Sequence, residues 1–178
     1  KRGVWNSGGD CLERCPTKIT SWAIQKAIKN APKVPWSASG YARGLRTFIE
    51  ANISAIHAVE FSIHYTPKNA IHGTKTTIHG FAGTCDCLVD VQGDGPYLLD
   101  WKTERSDAMY AQFYDQIGAY SLVLKNLTGI KAKGGVVVCA RRSGAPTVKM
   151  MSELDLLAAE QRYLERLNIY LARLDLAA

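Results

Sequence analysis

Residues 135–140 read GVVVCA, with no polar side chain among them. A run so short, so uniformly apolar and so rich in β-branched valine fits a strand with both faces covered. Such a strand lies inside a sheet with a further layer above and below it. The segment before it, from Asp107 to about Leu127, is periodic as a helix and stops at Gly129, and the strand-like YLLDWKT of residues 97–103 precedes that helix. Strand, helix and buried strand in this order form a parallel crossover. The expected fold class is α/β, a central mixed sheet flanked by helices.

The rest of the chain supplies the remaining layers. Thr20 or Ser21 can cap a helix whose apolar positions Ile24, Ala27, Ile28 and Ala31 recur at helical spacing until Pro32 stops it, and a second helix runs from about Ser39 through Leu45, Phe48, Ile49 and Ile53. From Ala58 the period becomes two: Val59, Phe61, Ile63 and Tyr65 share one side, and Glu60, Ser62 and His64 the other. After a polar loop with His72, Gly73 and Lys75, residues 78–91 read as a strand broken near Gly80 and Gly83. The QGDG turn of residues 92–95 then joins this strand to the one that ends in DWKT, making a hairpin. Ser152 with Asp155 resembles a capping pair, and Leu157, Leu164, Leu167, Leu171 and Leu174 form an apolar stripe along a long last helix, which is expected to pack on the sheet.

No repeat, low-complexity tract or charge run divides the sequence, so one domain is expected over residues 1–178. Its core would span about 40–142, with the N-terminal helical segment and the C-terminal helix packed on it; the first ten residues, with Gly3, Gly8 and Gly9, are expected to be loose. A chain of 178 residues, 47% of them hydrophobic, is long enough for one sizeable core.

The formal charge of +6 favours a polyanionic partner such as nucleic acid. No apolar run reaches the roughly 18 residues of a membrane span, and no signal-peptide pattern opens the sequence. Five cysteines, an odd number, are too few for a disulfide-stapled chain of this length and point to a reducing, cytoplasmic compartment. Cys11 with Cys15, and Cys85 with Cys87, lack the spacing of a zinc knuckle. Oligomeric state is left open.

The chemistry concentrates in the hairpin. Asp86 and Asp100 stand seven residues either side of Gly93, so antiparallel pairing about the turn sets them opposite each other with β-carbons about 5 Å apart. Two carboxylates that close repel unless a cation lies between them, and all-oxygen donors suit a hard divalent ion, Mg²⁺ or Mn²⁺. Lys102 is two residues beyond Asp100, so alternation sends both to one face, with Leu99 and Trp101 on the other. Metal, carboxylates and ammonium together can activate water and neutralise charge on a phosphodiester. Spacing alone does not exclude two solvated carboxylates and a neutralising lysine. Gln112, Gln116 and Tyr120 follow at i, i+4 and i+8 on one helix face, and Glu60 is a further candidate carboxylate.

The strings GTCDCLVDV, YLLDWKT and QFYDQIGAY give Gly-x-x-Asp, a spacer, Asp-x-Lys and then Gln-x-x-x-Tyr. This order resembles the PD-(D/E)XK nuclease superfamily in its RecB-like branch. Within that branch, DWKT followed by QIGAYSLVL and LTGI is most similar to small phage exonucleases and the mitochondrial genome-maintenance exonuclease, over roughly residues 44–141.

The resemblance implies a restriction-endonuclease-like core and hydrolysis of DNA, preferably from its ends, in the cytoplasm of a phage or bacterial host. Asp86, Asp100 and, from outside the matched motifs, Glu60 would hold Mg²⁺ or Mn²⁺; Lys102 would be catalytic; Gln116 and Tyr120 would order the site or contact DNA. Gln112, on the same helix face, and Arg46 are further candidates for that last role, on the residues alone. In one respect the sequence departs from the pattern. These families often carry a histidine in an upstream helix, in a Leu-His-x-x-Ile-Glu context, where this chain reads Leu45, Arg46, Thr47, Phe48, Ile49, Glu50. Arginine cannot ligate a metal, so either fewer protein ligands are used, a residue such as Glu60 substitutes, or the two helices do not correspond. The related CRISPR-associated nucleases hold an iron–sulfur cluster with a late group of three cysteines, whereas here none follows Cys139. The alternatives left by the sequence are a structure-selective endonuclease and a nucleic-acid-binding or assembly subunit that keeps the fold without catalysis.

Overall fold

The computed structural model describes residues 19–33, 35, 38–65, 80–103 and 111–177. In chain order the elements are β1 (Ile19–Thr20), α1 (Ser21–Lys29), α2 (Ser39–Asn52), β2 (Ile53–Tyr65), β3 (Phe81–Val91), β4 (Asp94–Thr103), α3 (Ala111–Thr128), β5 (Gly134–Ala140), β6 (Thr147–Met151) and α4 (Glu153–Ala177). The six strands form one sheet in the order in which they occur along the chain. Only β4 and β5 are parallel, joined by the α3 crossover, and every other neighbouring pair is antiparallel. The fold is α/β, a central mixed sheet flanked by helices.

β5 shows why its sequence is apolar throughout. Val137 packs into the layer filled by Phe113, Ile117, Tyr120, Val123 and Leu124 of α3, while Val136 and Val138 pack into the opposite layer with Ile24 of α1 and Phe48 of α2. Both layers exclude water, so neither face of the strand has a use for a polar residue. Each fully buried valine of this kind contributes about 1.5–3 kcal/mol relative to exposure.

Element boundaries differ from the sequence expectation where backbone preference decides. α2 ends at Asn52, whose side-chain amide donates to the Phe48 carbonyl at 2.9 Å, and β-branched Ile53 already has the extended backbone of β2. β3 runs unbroken through Gly83, where a β-carbon would lie 3.1 Å from the Tyr120 ring, so glycine makes room for the aromatic instead of ending the strand. β1 and β6 are strands that the sequence pattern did not predict; β6 is short and leaves Val148 and Met150 exposed. The loop at 72–75, Ile78, the predicted helix start at Asp107, the first ten residues, Cys11 and Cys15 lie outside the described residues.

β2 and β3 change faces together. Ala58 and Leu88 are paired and belong to the α3-side layer, and Val59 pairs with Cys87, which faces the α2 side. Simple alternation would return Phe61 and its partner Cys85 to the α2 side, yet both pack in the α3 layer, as does Ile63. The reversal falls between these pairs, at the rung of Glu60 and Asp86, where Glu60 adopts φ 47°. Val59 is consequently 55% exposed and does not share a buried side with Phe61 and Ile63, contrary to the period-two reading.

α4 begins with a reciprocal cap. The Ser152 amide donates to Asp155 Oδ2 at 2.9 Å and the Asp155 amide donates to Ser152 Oγ at 3.2 Å. Ser152→Ala is expected to cost about 1 kcal/mol, read as a lower urea midpoint at unchanged slope. The helix lies mainly along α3 rather than directly on the sheet. Among its described side chains the buried ones are Leu156, Ala159 and Glu160, whereas Leu157, the first leucine of the predicted stripe, is 47% exposed. Gly118 allows this approach, because a β-carbon there would lie 2.5 Å from the Ala159 carbonyl carbon. Around it, Asp115 accepts from Arg162 Nε at 2.8 Å and contacts Arg166, and Ser121 Oγ donates to Glu160 Oε1 at 2.6 Å. Among the described residues, no helix is long and apolar enough to cross a membrane.

Candidate active site

The β3–β4 ladder runs through Leu88↔Leu98 and ends at Cys87↔Leu99. Beyond that rung β3 stays with β2 and β4 stays with β5, so the two strands part. Extended one step past its last pair, the same register sets Asp86 across from Asp100. Asp86 Oδ2 accepts the Trp101 amide at 2.8 Å, so the carboxylate takes the donor that a ladder carbonyl would otherwise have taken. Leu99 and Trp101 pack on the α2 side, the latter edge-on to Phe48 at a 6.0 Å centroid separation, while Asp100 and Lys102 alternate toward α3.

There the polar groups form a chain. Asp100 is 2% exposed, and Lys102 Nζ lies 2.6 Å from its Oδ2. This is an ion pair outside hydrogen-bond angles, so that oxygen is buried with a charge beside it but no directed donor. Lys102 Nζ donates to Gln116 Oε1 at 2.9 Å and sits 5.1 Å from the Phe113 ring centroid. Gln116 Nε2 in turn donates to the Tyr120 hydroxyl at 2.6 Å. An ammonium can only donate, which fixes the glutamine with its oxygen toward Lys102 and its amide toward Tyr120.

Burial raises the Asp100 carboxyl above the ordinary aspartate range; Lys102 opposes the shift and Asp86 adds to it. An acid whose folded value is raised binds its proton more tightly when folded, so its contribution to stability falls as pH rises from the ordinary value through the raised one. At neutral pH the buried charge is therefore a cost that a neutral amide removes. In EDTA at pH 7, Asp100→Asn is expected to melt no lower than the parent, and Mn²⁺ is expected to raise the melting temperature of the parent alone. An equal rise in both proteins would show that Asp100 holds no cation. Burial also raises the Tyr120 hydroxyl, despite the opposing bond from Gln116.

The donor set suits a hard cation. Asp86 and Asp100 supply oxygen only, and with Lys102 they leave one net negative charge at a largely buried position. Mg²⁺ commonly takes one or two carboxylates and fills its remaining positions with water and substrate phosphate. A thiolate site does not fit: Cys85 and Cys87 are buried in opposite layers of the core. Burial lifts the Cys87 thiol to about 11 and the Cys85 thiol higher still, so both stay protonated.

The other candidate residues are dispersed. Glu60 is exposed at the strand reversal, and among the described residues no three His, Cys, Asp or Glu side chains group closely enough to hold a metal. Gln112 is exposed, one turn before Gln116. Arg46 lies on α2, which packs on the opposite side of the sheet, and lines a groove of about 590 Å³ with Gln25, Ile28, Lys29 and Glu50. The structure thus brings together Asp86, Asp100, Lys102, Gln116 and Tyr120, and leaves Arg46 apart from them. Phe113, which belongs to none of the motifs in the sequence, lies three residues before Gln116 on the same helix face and underlies Lys102.

No family model and no curated protein matches the chain. One solved structure, described as the crystal structure of SSO0001, aligns with 92% of this chain and 78% of its own at 15% identity and a TM-score of 0.42, a likeness too slight to bear on function.

Proposed function

We propose that the chain is a Mg²⁺- or Mn²⁺-dependent deoxyribonuclease of PD-(D/E)XK type, acting by preference on DNA ends. One observation carries the reading: Asp86, Asp100 and Lys102 meet where β3 and β4 part, with the lysine held by Gln116. The two carboxylates would hold the ion, which when bound would polarise the phosphate and lower the pKa of a water. Asp86 is oriented by the Trp101 amide, and Asp100 is kept dry by the α3 layer. Lys102 stands ready to orient water or neutralise charge on the phosphate, and the Gln116–Tyr120 pair keeps its ammonium from swinging away.

The preference for ends and for DNA comes from the resemblance of DWKT and QFYDQIGAY to the phage exonucleases, together with the charge of +6. The test is digestion of end-labelled linear DNA and of a closed circle, each with Mg²⁺ or Mn²⁺ and with EDTA. Metal-dependent loss of the linear form alone is the expected result; cutting of the circle would replace it with an endonuclease. A binding or assembly subunit without catalysis is the second reading, favoured by the position of Arg46 and by the absence of a third clustered carboxylate among the described residues. DNA binding that persists in EDTA, with no cleavage in either metal, would establish that second reading.

A further inference from the structure

β4 and β5 are the parallel pair, and in sheets of this kind ligands gather outside the carboxyl ends of parallel strands. Lys102 is level with Cys139, and Thr103 with Ala140, so Arg141 and Arg142 emerge from β5 at the end where Asp100 and Lys102 sit on β4. α3 runs back against the strands: Ile117 meets Gly135 near the start of β5, while Gln116 and Phe113 meet Lys102 near its end. The first turn of α3, with exposed Gln112, therefore stands at this end too.

Arg141 is the arginine on the relevant face. Val137 faces α3, so alternation carries Cys139 and then Arg141 to that side. The guanidinium turns back onto Thr147, the β6 partner of Cys139, with both Nε, at 3.0 Å, and an Nη donating to the threonine hydroxyl. Its backbone is held as well. Gly40 of α2 sits so close to the Arg142 carbonyl that a β-carbon would lie 1.6 Å from that oxygen, and Gly44 lies against the Gly144 carbonyl. One strand spacing and two residues of rise place the Arg141 α-carbon roughly 8 Å from that of Lys102.

We propose that Arg141, half-buried and fixed by Thr147, binds a phosphate of the DNA strand next to the one that lies at Lys102. The proposal rests on the nuclease reading for its substrate. A guanidinium whose direction is already set by Thr147 loses little freedom when it binds, and a planar fork suits a phosphate. Arg141 would thus contribute to binding, while Lys102 acts at the reacting group.

The experiment measures binding of the full chain to a labelled DNA oligonucleotide in EDTA across a range of KCl. Cleavage of the same DNA in Mn²⁺ is followed separately. Arg141→Ala is expected to weaken binding and reduce the slope of log K against log salt by about 1, the signature of one lost phosphate contact. Thr147→Val, which keeps the charge and removes its anchor, is expected to weaken binding with the slope unchanged. Arg173→Ala, an exposed change near the end of α4, controls for net charge and is expected to leave the slope as it was. If Arg141→Ala matches the parent in affinity and slope, or if the parent binds no DNA, the inference falls. If Arg141→Ala lowers the slope but the parent does not cut, the phosphate contact stands and the nuclease reading fails.

Discussion

Lys102→Ala is expected to lower the rate of DNA cleavage by about 10²–10³-fold, the usual loss when one preorganised donor is removed from a developing charge. The same change is expected to leave DNA binding in EDTA within a few-fold of the parent, because one of many backbone charges is lost. The side chain is held on three sides, by Asp100, by Gln116 Oε1 and by the Phe113 ring. A freely solvated lysine would not need such packing to neutralise a carboxylate. Single-turnover cleavage at saturating enzyme is the measurement that separates chemistry from binding. Equal rates for parent and variant would return Lys102 to a structural role and remove the main support for catalysis. Gln116→Ala is the companion variant: an intermediate loss would show that the amide acts by positioning the ammonium.

Gly118→Leu is expected to be the most destabilising single change on α3. The first carbon of any side chain there would meet the Ala159 carbonyl carbon at 2.5 Å and the Glu160 amide nitrogen at 2.6 Å, both of them backbone atoms within a helix. Neither can rotate away, so α4 must shift as a body. That shift would disturb the Asp115–Arg162 and Ser121–Glu160 contacts on either side. Overpacking of this kind costs about 3 kcal/mol. For a chain of this length the melting temperature would fall by roughly 6–12 °C, which scanning calorimetry would register. An unchanged melting temperature would mean that α4 is not seated on α3 as described.

Much of this molecule is legible in its sequence. The register that sets Asp86 across from Asp100 follows only in part from the turn: Val91 pairs with Asp94, and a one-residue shift between Val89 and Val91 brings the rungs beyond it into the register centred on Gly93. The doubly covered β5 and its crossover were readable, since a six-residue apolar run has few other homes. The strand reversal was hidden. Val59, Phe61, Ile63 and Tyr65 are apolar at every second position, so the sequence looks regular while the backbone at Glu60 is not. α4 misled for a different reason: where helix backbones approach closely, small residues such as Ala159 mark the contact, and the leucines fall partly outside it. β6 escaped because an edge strand of five residues with exposed Val148 and Met150 has no clear alternation of burial to detect. Arg46 was drawn toward the site by its position in a motif, but only the tertiary fold could show that α2 covers the other side of the sheet.

The reversal at Glu60 and Asp86 has a consequence for how the chain tolerates change. The two strands turn over at the same rung, so their pairing continues undisturbed on either side of it. Deleting Glu60 from β2 alone would restore regular alternation and keep Phe61 and Ile63 toward α3, but it would slide the outer half of the strand by one position against β3, setting Phe61 across from Asp86 in place of Cys85. A matching deletion in β3 would realign the partners but would remove Asp86 or bring another side chain to its place. Length in this part of β2 and β3 is therefore constrained from two directions at once, by the pairing of the two strands and by the carboxylate that Asp86 supplies.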